Sequence, residues 1–288
     1  MPAVAQGQTR LGMLYSRKMS GHTNCRTRYP ILLVHGLAGR DAGRLPYWGG
    51  IPDCLRARGA SVHLAGIGGF ATIEENARRL DARIAEVLEA TGADRVNIVA
   101  HSMGGLDSRY YISALGGGCR VACLCTFNTP HRGTALADLF LEALPRASRP
   151  IAALVDFYSR AAHGEDDAEA LEAARELSRS ACADFNEANP DDPGVYYRSY
   201  TSRIDGSFPV RRKAALWKLL YDREGENDGL VSVESARWGE FKGVVGAESG
   251  LSISHDDLHD LRKFRSAPHF DAPAFFAEVA SDLALSGY

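Results

Sequence analysis

No apolar run in the 288-residue chain approaches the ~20 residues that span a bilayer. Charge of one sign is also missing in excess: 33 Lys+Arg against 36 Asp+Glu leave a formal net charge of −3. Such a chain has no whole-molecule basic field to hold nucleic acid. Neither a transmembrane segment nor a nucleic-acid partner is therefore expected. There is no repeat, no low-complexity tract, and no CxxC pair or His-spaced cysteine to suggest zinc. An uninterrupted apolar stretch of the secretory kind is absent near Met1, because Gln6, Gln8, Arg10, Arg17 and Lys18 break it. That favours a cytoplasmic protein, or a secreted one whose leader has been removed.

What is present is ordinary globular composition, 45% apolar and 24% charged, which argues against disorder, a collagen-like repeat or a small disulfide scaffold. The length suits one α/β domain over 29–288, preceded by a polar arm, 1–28, and interrupted by an insert. The six cysteines read as buried reduced thiols. Cys123 and Cys125, two apart in VACLCTF, would share one face of a strand.

Short apolar runs predict strands at Tyr29–Gly36, Val62–Leu64, Val96–Ala100, Val121–Phe127, Val195–Tyr200 and Gly243–Val245. Between them lie helical patterns. Tyr47 to Arg58 reads as turn then helix. Thr72 with Glu75 makes a capping box ahead of Ile73, Ala77, Leu80, Ile84, Val87 and Leu88, a helix ending at Gly92. Gly104 to Leu115 and Phe275 to Leu285 read as two more. Strand and helix in alternation predict a mostly parallel sheet with helices on both faces. The rhythm breaks between about 134 and 193, which reads as wholly helical. One helix would run from Glu165 to Ala188, and the segment is expected to lie over one end of the sheet.

Chemistry concentrates in VNIVAHSMGG. An apolar strand ends in small-His-Ser-x-Gly and a helix follows, the context of a nucleophile elbow. Small residues fit the tight turn, and Ala100 takes the place of the usual first glycine. Ser102 would stand at a helix start, where main-chain amides and the helix dipole favour a developing negative charge. His35-Gly36-Leu37-Ala38-Gly39 ends the first strong strand. Leu37 and Met103 occupy the two positions whose amides form an oxyanion hole in this arrangement. A serine nucleophile needs a base, and the base an orienting carboxylate, in the order Ser, acid, His. Asp228, in ENDGLV, is the best acid, with Asp205 and Asp222 as rivals. Among the later histidines His255 suits the base. His259 and His269 read as surface residues, and His131 as a structural loop histidine.

YPILLVHGLAG, AHSMGGLDSRYYIS, TFNTPHRGT, NDGLVS and SHDD, in that order from Tyr29 to Leu261, resemble the bacterial triacylglycerol lipases of the α/β-hydrolase superfamily. The resemblance implies an open, mainly parallel sheet and a helical lid over an acyl-chain cleft. It places nucleophile, acid and base on Ser102, Asp228 and His255, and the oxyanion donors on Leu37 and Met103. Many such relatives hold a structural calcium near the histidine. Asp257 and Asp205 would be its carboxylate ligands here, although Leu261 stands where a polar ligand belongs, and a helix-start carboxylate is an equal reading of Asp257.

The expected function is serine-dependent hydrolysis of carboxylic esters, acylglycerols first, with transient contact at a lipid interface and no cofactor required for the chemistry. Thioesters or polyesters are alternative substrates, since fold does not choose among them. A silent hydrolase fold used as a binding module is the reading from a different class.

Overall fold

The computed structural model describes residues 23–41, 46–143, 172, 174–206, 211–247, 249–260 and 270–288. Six strands form one sheet: β1 (Ile31–Val34), β2 (Val62–Leu64), β3 (Val96–His101), β4 (Val121–Phe127), β5 (Tyr196–Thr201) and β6 (Glu240–Val244). Their order is β2-β1-β3-β4-β5-β6, and every pairing is parallel. Parallel neighbours need crossovers, and helices supply them. The helices are α1 (Ile51–Arg56), α2 (Ile73–Thr91), α3 (Gly104–Ser113), α4 (Ala135–Ala143), α5 (Arg179–Ala188), α6 (Arg211–Glu224) and α7 (Ala272–Leu285).

The strands are apolar on both faces because both faces are covered. Successive side chains point to opposite sides of a sheet, and the burial follows that alternation. Ile31, Leu33, Val99, Cys123, Cys125 and Phe127 pack with Leu55 of α1 and Phe276 of α7. Leu32, Val34, Ile98, Ala100 and Leu124 pack with Leu80 and Ile84 of α2 and Tyr111 of α3. So Cys123 and Cys125 do share a core face. All six thiols are free, with Cys119 exposed and Cys54 half-buried rather than buried.

α2 starts as the sequence predicts. The Thr72 hydroxyl accepts from the Glu75 amide, the Glu75 carboxylate accepts from the Thr72 amide, and Gly92 closes the helix at φ 68°. The long helix expected from Glu165 to Ala188 is interrupted instead. Ser178 leaves helical geometry (φ −66°, ψ 152°) and caps α5 by accepting from the Ala181 amide. The Thr134 amide donates to Leu177 O at the same break, tying the start of the insert to the residue before Ser178. α6 carries no prediction from sequence. The 1–28 arm up to residue 22, most of the insert where a lid would fall, and His269 lie outside the described residues. Among the described residues no helix is long and apolar enough to cross a membrane.

Candidate active site

The site gathers at the carboxyl ends of the parallel strands, where loops from separate crossovers meet. β3 ends at His101, and Ser102 turns the chain into α3 with φ 55°. A side-chain-bearing residue in that left-handed region is strained. Its surroundings enforce it. The Ser102 amide donates to Phe127 O at 2.9 Å, and the loop after β1 presses from the other side. A Cβ on Gly36 would sit 2.5 Å from Ser102 Cβ, and one on Gly104 would sit 2.3 Å from His35 O. Only glycine allows β1 and the elbow this approach. Ser102 itself is half-buried and reachable.

The Met103 amide lies at the start of α3, where helix N–H groups have no partner within the helix. Leu37 lies in the facing loop, which Ala38 shapes at φ 61° with its amide on Gly69 O. Among the described residues, neither the Leu37 nor the Met103 amide has a hydrogen-bond acceptor. Two free donors beside one hydroxyl can receive an oxyanion.

Asp228 follows α6 in a tight loop pinned by the Asn227–Ser232 bridge. Its Oδ1 accepts from the Leu230 and Val231 amides at 2.8 and 2.7 Å. Its Oδ2 lies 2.7 Å from His255 Nδ1. The His255 amide also donates to Asp228 O at 3.0 Å, so main chain and side chain hold the pair in one register. Both residues are buried. A carboxylate on Nδ1 puts the imidazole proton there and leaves Nε2 as the acceptor. The His255 ring packs against the His101 ring, one residue from Ser102, with centroids 4.6 Å apart. The rival acids are occupied elsewhere: Asp222 pairs with Lys218 on α6, and exposed Asp205 exchanges hydrogen bonds with Ser252.

The calcium expectation does not fit these residues. Asp257 Oδ2 accepts from the Ser254 amide at 2.9 Å and from the Ser254 hydroxyl at 2.6 Å. It therefore acts as the carboxylate of a short capping turn, and Asp205 is tied to Ser252. Among the described residues no group of three or more His, Cys, Asp or Glu is placed to hold a metal.

One further reading changes, that of His259, while His131 keeps its structural one. His259, expected at the surface, is 3% exposed. Its ring stacks on Tyr47 at 4.1 Å, and its Nδ1 faces Tyr47 O at 3.1 Å. His131 is buried and structural, with Nε2 3.1 Å from Thr126 Oγ1. Sequence reasoning passed over Tyr47 and over His101 as an individual side chain. The only local signal was the aromatic pair Tyr47-Trp48 just after the Gly-rich loop.

A strained hydroxyl at a strand-to-helix turn, two free amides and a buried carboxylate–imidazole pair on a parallel α/β sheet define an enzyme of the hydrolase class. The alpha/beta hydrolase fold family model matches residues 29–231. A triacylglycerol lipase of Vibrio cholerae is 33% identical over 305 aligned positions, which cover 95% of this chain and 92% of the relative. Triacylglycerol lipase 2 of Saccharomyces cerevisiae is 30% identical, covering 85% of this chain and 75% of that protein. The crystal structure of a metagenomic carboxyl esterase superposes with a TM-score of 0.69 at 18% identity, covering 90% of this chain and 76% of the other. The chain belongs to the α/β-hydrolase family, among its lipases and esterases.

Proposed function

We propose that this hydrolase cleaves carboxylic esters, with acylglycerols as the substrate class, through an acyl-enzyme on Ser102. His255 takes the Ser102 proton as the hydroxyl attacks the ester carbonyl. Asp228 holds the imidazole tautomer and stabilises the imidazolium. The Leu37 and Met103 amides bind the oxyanion; one such donor is worth ~3–4 kcal/mol of barrier in comparable sites. His255 then protonates the leaving alcohol, and water releases the acid by the same relay. No metal or redox group enters these steps.

The observation that carries the reading is the 2.7 Å His255–Asp228 contact on the ring that packs beside the strained elbow. The acylglycerol class draws support from the relatives' names and from the site's flank. Leu37 and Leu230, neighbours of the oxyanion and acid positions, pack into an apolar cluster with Leu136 and Phe140 of α4 and Leu216 and Leu220 of α6. An acyl chain lying there would leave water.

The test is an ester chain-length series with Ser102→Ala as control. Turnover is expected to rise with acyl-chain length if that flank binds the chain at ~0.8 kcal/mol per buried methylene. Ser102→Ala is expected to lower kcat by on the order of 10⁶-fold with the fold intact. Activity retained in that variant would overturn the serine mechanism.

A further inference from the structure

Beside the Ser102, Asp228 and His255 set lies a second group of rings that the mechanism above does not use. Tyr47 OH sits 2.7 Å from His101 Nδ1. Tyr47 is clamped against His259 by the stack and the carbonyl contact already described. The His101 ring meets His259 at 5.0 Å and His255 at 4.6 Å, both edge-on. Tyr47, His101 and His259 are all buried. We infer that Tyr47 and His101 are positioning residues for His255: the phenol fixes the tautomer and orientation of His101, and the His101 ring seats the imidazole that receives the Ser102 proton. The inference rests on the serine mechanism proposed above.

The chemistry runs through one proton. Burial pushes the Tyr47 phenol far up, so it stays protonated and donates. His101 Nδ1 is therefore an acceptor, and its own proton sits on Nε2. Turning the ring over would break the Tyr47 bond in a buried site, at the full cost of stranding both groups. The Gly36 amide faces the same phenolic oxygen, so one hydroxyl touches both the oxyanion loop and the elbow.

Charge makes the arrangement matter. Burial first, then His255 and His259, hold His101 well below the usual imidazole range. Asp256 works in the other direction. The remaining groups around the cluster are His35 and Asp41 on the Tyr47 side, Asp228 behind His255, and Asp260 bonded to the Gly50 amide. During reaction His255 becomes a cation. A neutral aromatic ring at 4.6 Å tolerates that cation, whereas a charged one at the same distance repels it. Tyr47, by donating to Nδ1, favours the neutral ring that burial and the two neighbouring imidazoles also favour.

The test compares pH profiles of p-nitrophenyl butyrate hydrolysis for wild type, Tyr47→Phe and the double variant Tyr47→Phe/His101→Phe, all full chain. Fluorophosphonate labelling of wild type reports on Ser102. Tyr47→Phe is expected to lower kcat about tenfold with KM unchanged within about twofold. The loss should be larger on the acid limb than on the plateau, because the neutral form of His101 has lost the hydrogen bond that favoured it. The double variant, with no imidazole at 101, should lose that extra pH dependence. A folded Tyr47→Phe whose activity is unchanged, or falls equally at every pH, overturns the inference. Should Tyr47→Phe not fold, His101→Phe carries the test: a wild-type kcat in the folded protein overturns it, and a lower kcat at constant KM supports it. Active wild type that is not labelled at Ser102 sinks the serine mechanism, and this inference with it. Labelled, active wild type with an unaltered Tyr47→Phe sinks this inference alone.

Discussion

Two of the buried aspartates, Asp228 and Asp107, are each 1% exposed, and their surroundings differ. Asp228 has both oxygens engaged, one by two main-chain amides and one by the His255 ring. Asp107 on α3 has only the Asn76 amide at 3.2 Å on Oδ2, and its Oδ1 has no partner among the described residues. Burial, and then the nearby Glu176, push Asp107 well above the usual carboxylate range. At equal depth, the acid short of donors is the one that burial pushes up. A sharp way to break the comparison is to give Asp228 an amide. Asp228→Asn keeps the shape but presents an N–H to His255 Nδ1, forcing the proton to Nε2, where it blocks acceptance from Ser102. Turnover of a soluble ester should fall on the order of 10⁴-fold. A loss under about tenfold, read in steady-state kinetics, would show that another acid serves the base.

Glu176, near Asp107, makes a pH prediction of smaller size. Glu176 accepts with both oxygens from the Ile73 amide, at 3.1 Å each, where α2 begins. Burial outweighs that bond and raises it to about 7. A carboxyl raised in the folded state contributes stability that is complete below its unfolded value, near 4.5, and lost as pH climbs through about 7. Wild type should therefore lose thermal stability between pH 5 and pH 8 from this group, and Glu176→Gln should lose less. The expected divergence in Tm is about 3 °C, followed by thermal melts across that range. Parallel curves would mean that Glu176 ionises freely in the folded protein.

How much of this was legible in the sequence follows the same division. Ser102, Asp228, His255, Leu37 and Met103 could be picked out as candidates because each sits on a local pattern: an apolar strand ending in small residues, a glycine after a turn acid. β1, β3 and β4 were readable because strands buried on both faces are uninterrupted apolar runs. α6 was not, since its first turn is Arg211-Arg212-Lys213 and its apolar residues face only the small cluster near Leu136. The Glu165–Ala188 helix failed at Ser178, where the tie from Thr134 to Leu177, far apart in sequence, decides the break. His259 failed for the same reason. Nothing near it announces that Tyr47, more than two hundred residues earlier, supplies a stacking ring. Of the two sequence readings of Asp257, the helix-start carboxylate matches its hydrogen bonds to Ser254, three residues away.

The smallest effect asks what holds the start of α2, where the raised Glu176 carboxyl meets Ile73. Two devices act within two residues of each other. Thr72 and Glu75 close a local capping box, with hydrogen bonds of 3.3 and 3.2 Å. Glu176 reaches the next amide from across the fold. A cap of this kind is worth ~1 kcal/mol, and its loss should lower Tm by about 3 °C at any pH. Thr72→Ala should therefore shift the melt equally at pH 5 and pH 8, unlike Glu176→Gln. Arg78→Ala, which removes only the exposed Arg78–Glu74 pair one turn further on, should leave Tm within about 1 °C. A Thr72→Ala shift that shrinks as pH rises would show that the cap and the raised carboxyl act as one unit, ionised Glu176 then compensating at the helix start for the lost hydroxyl.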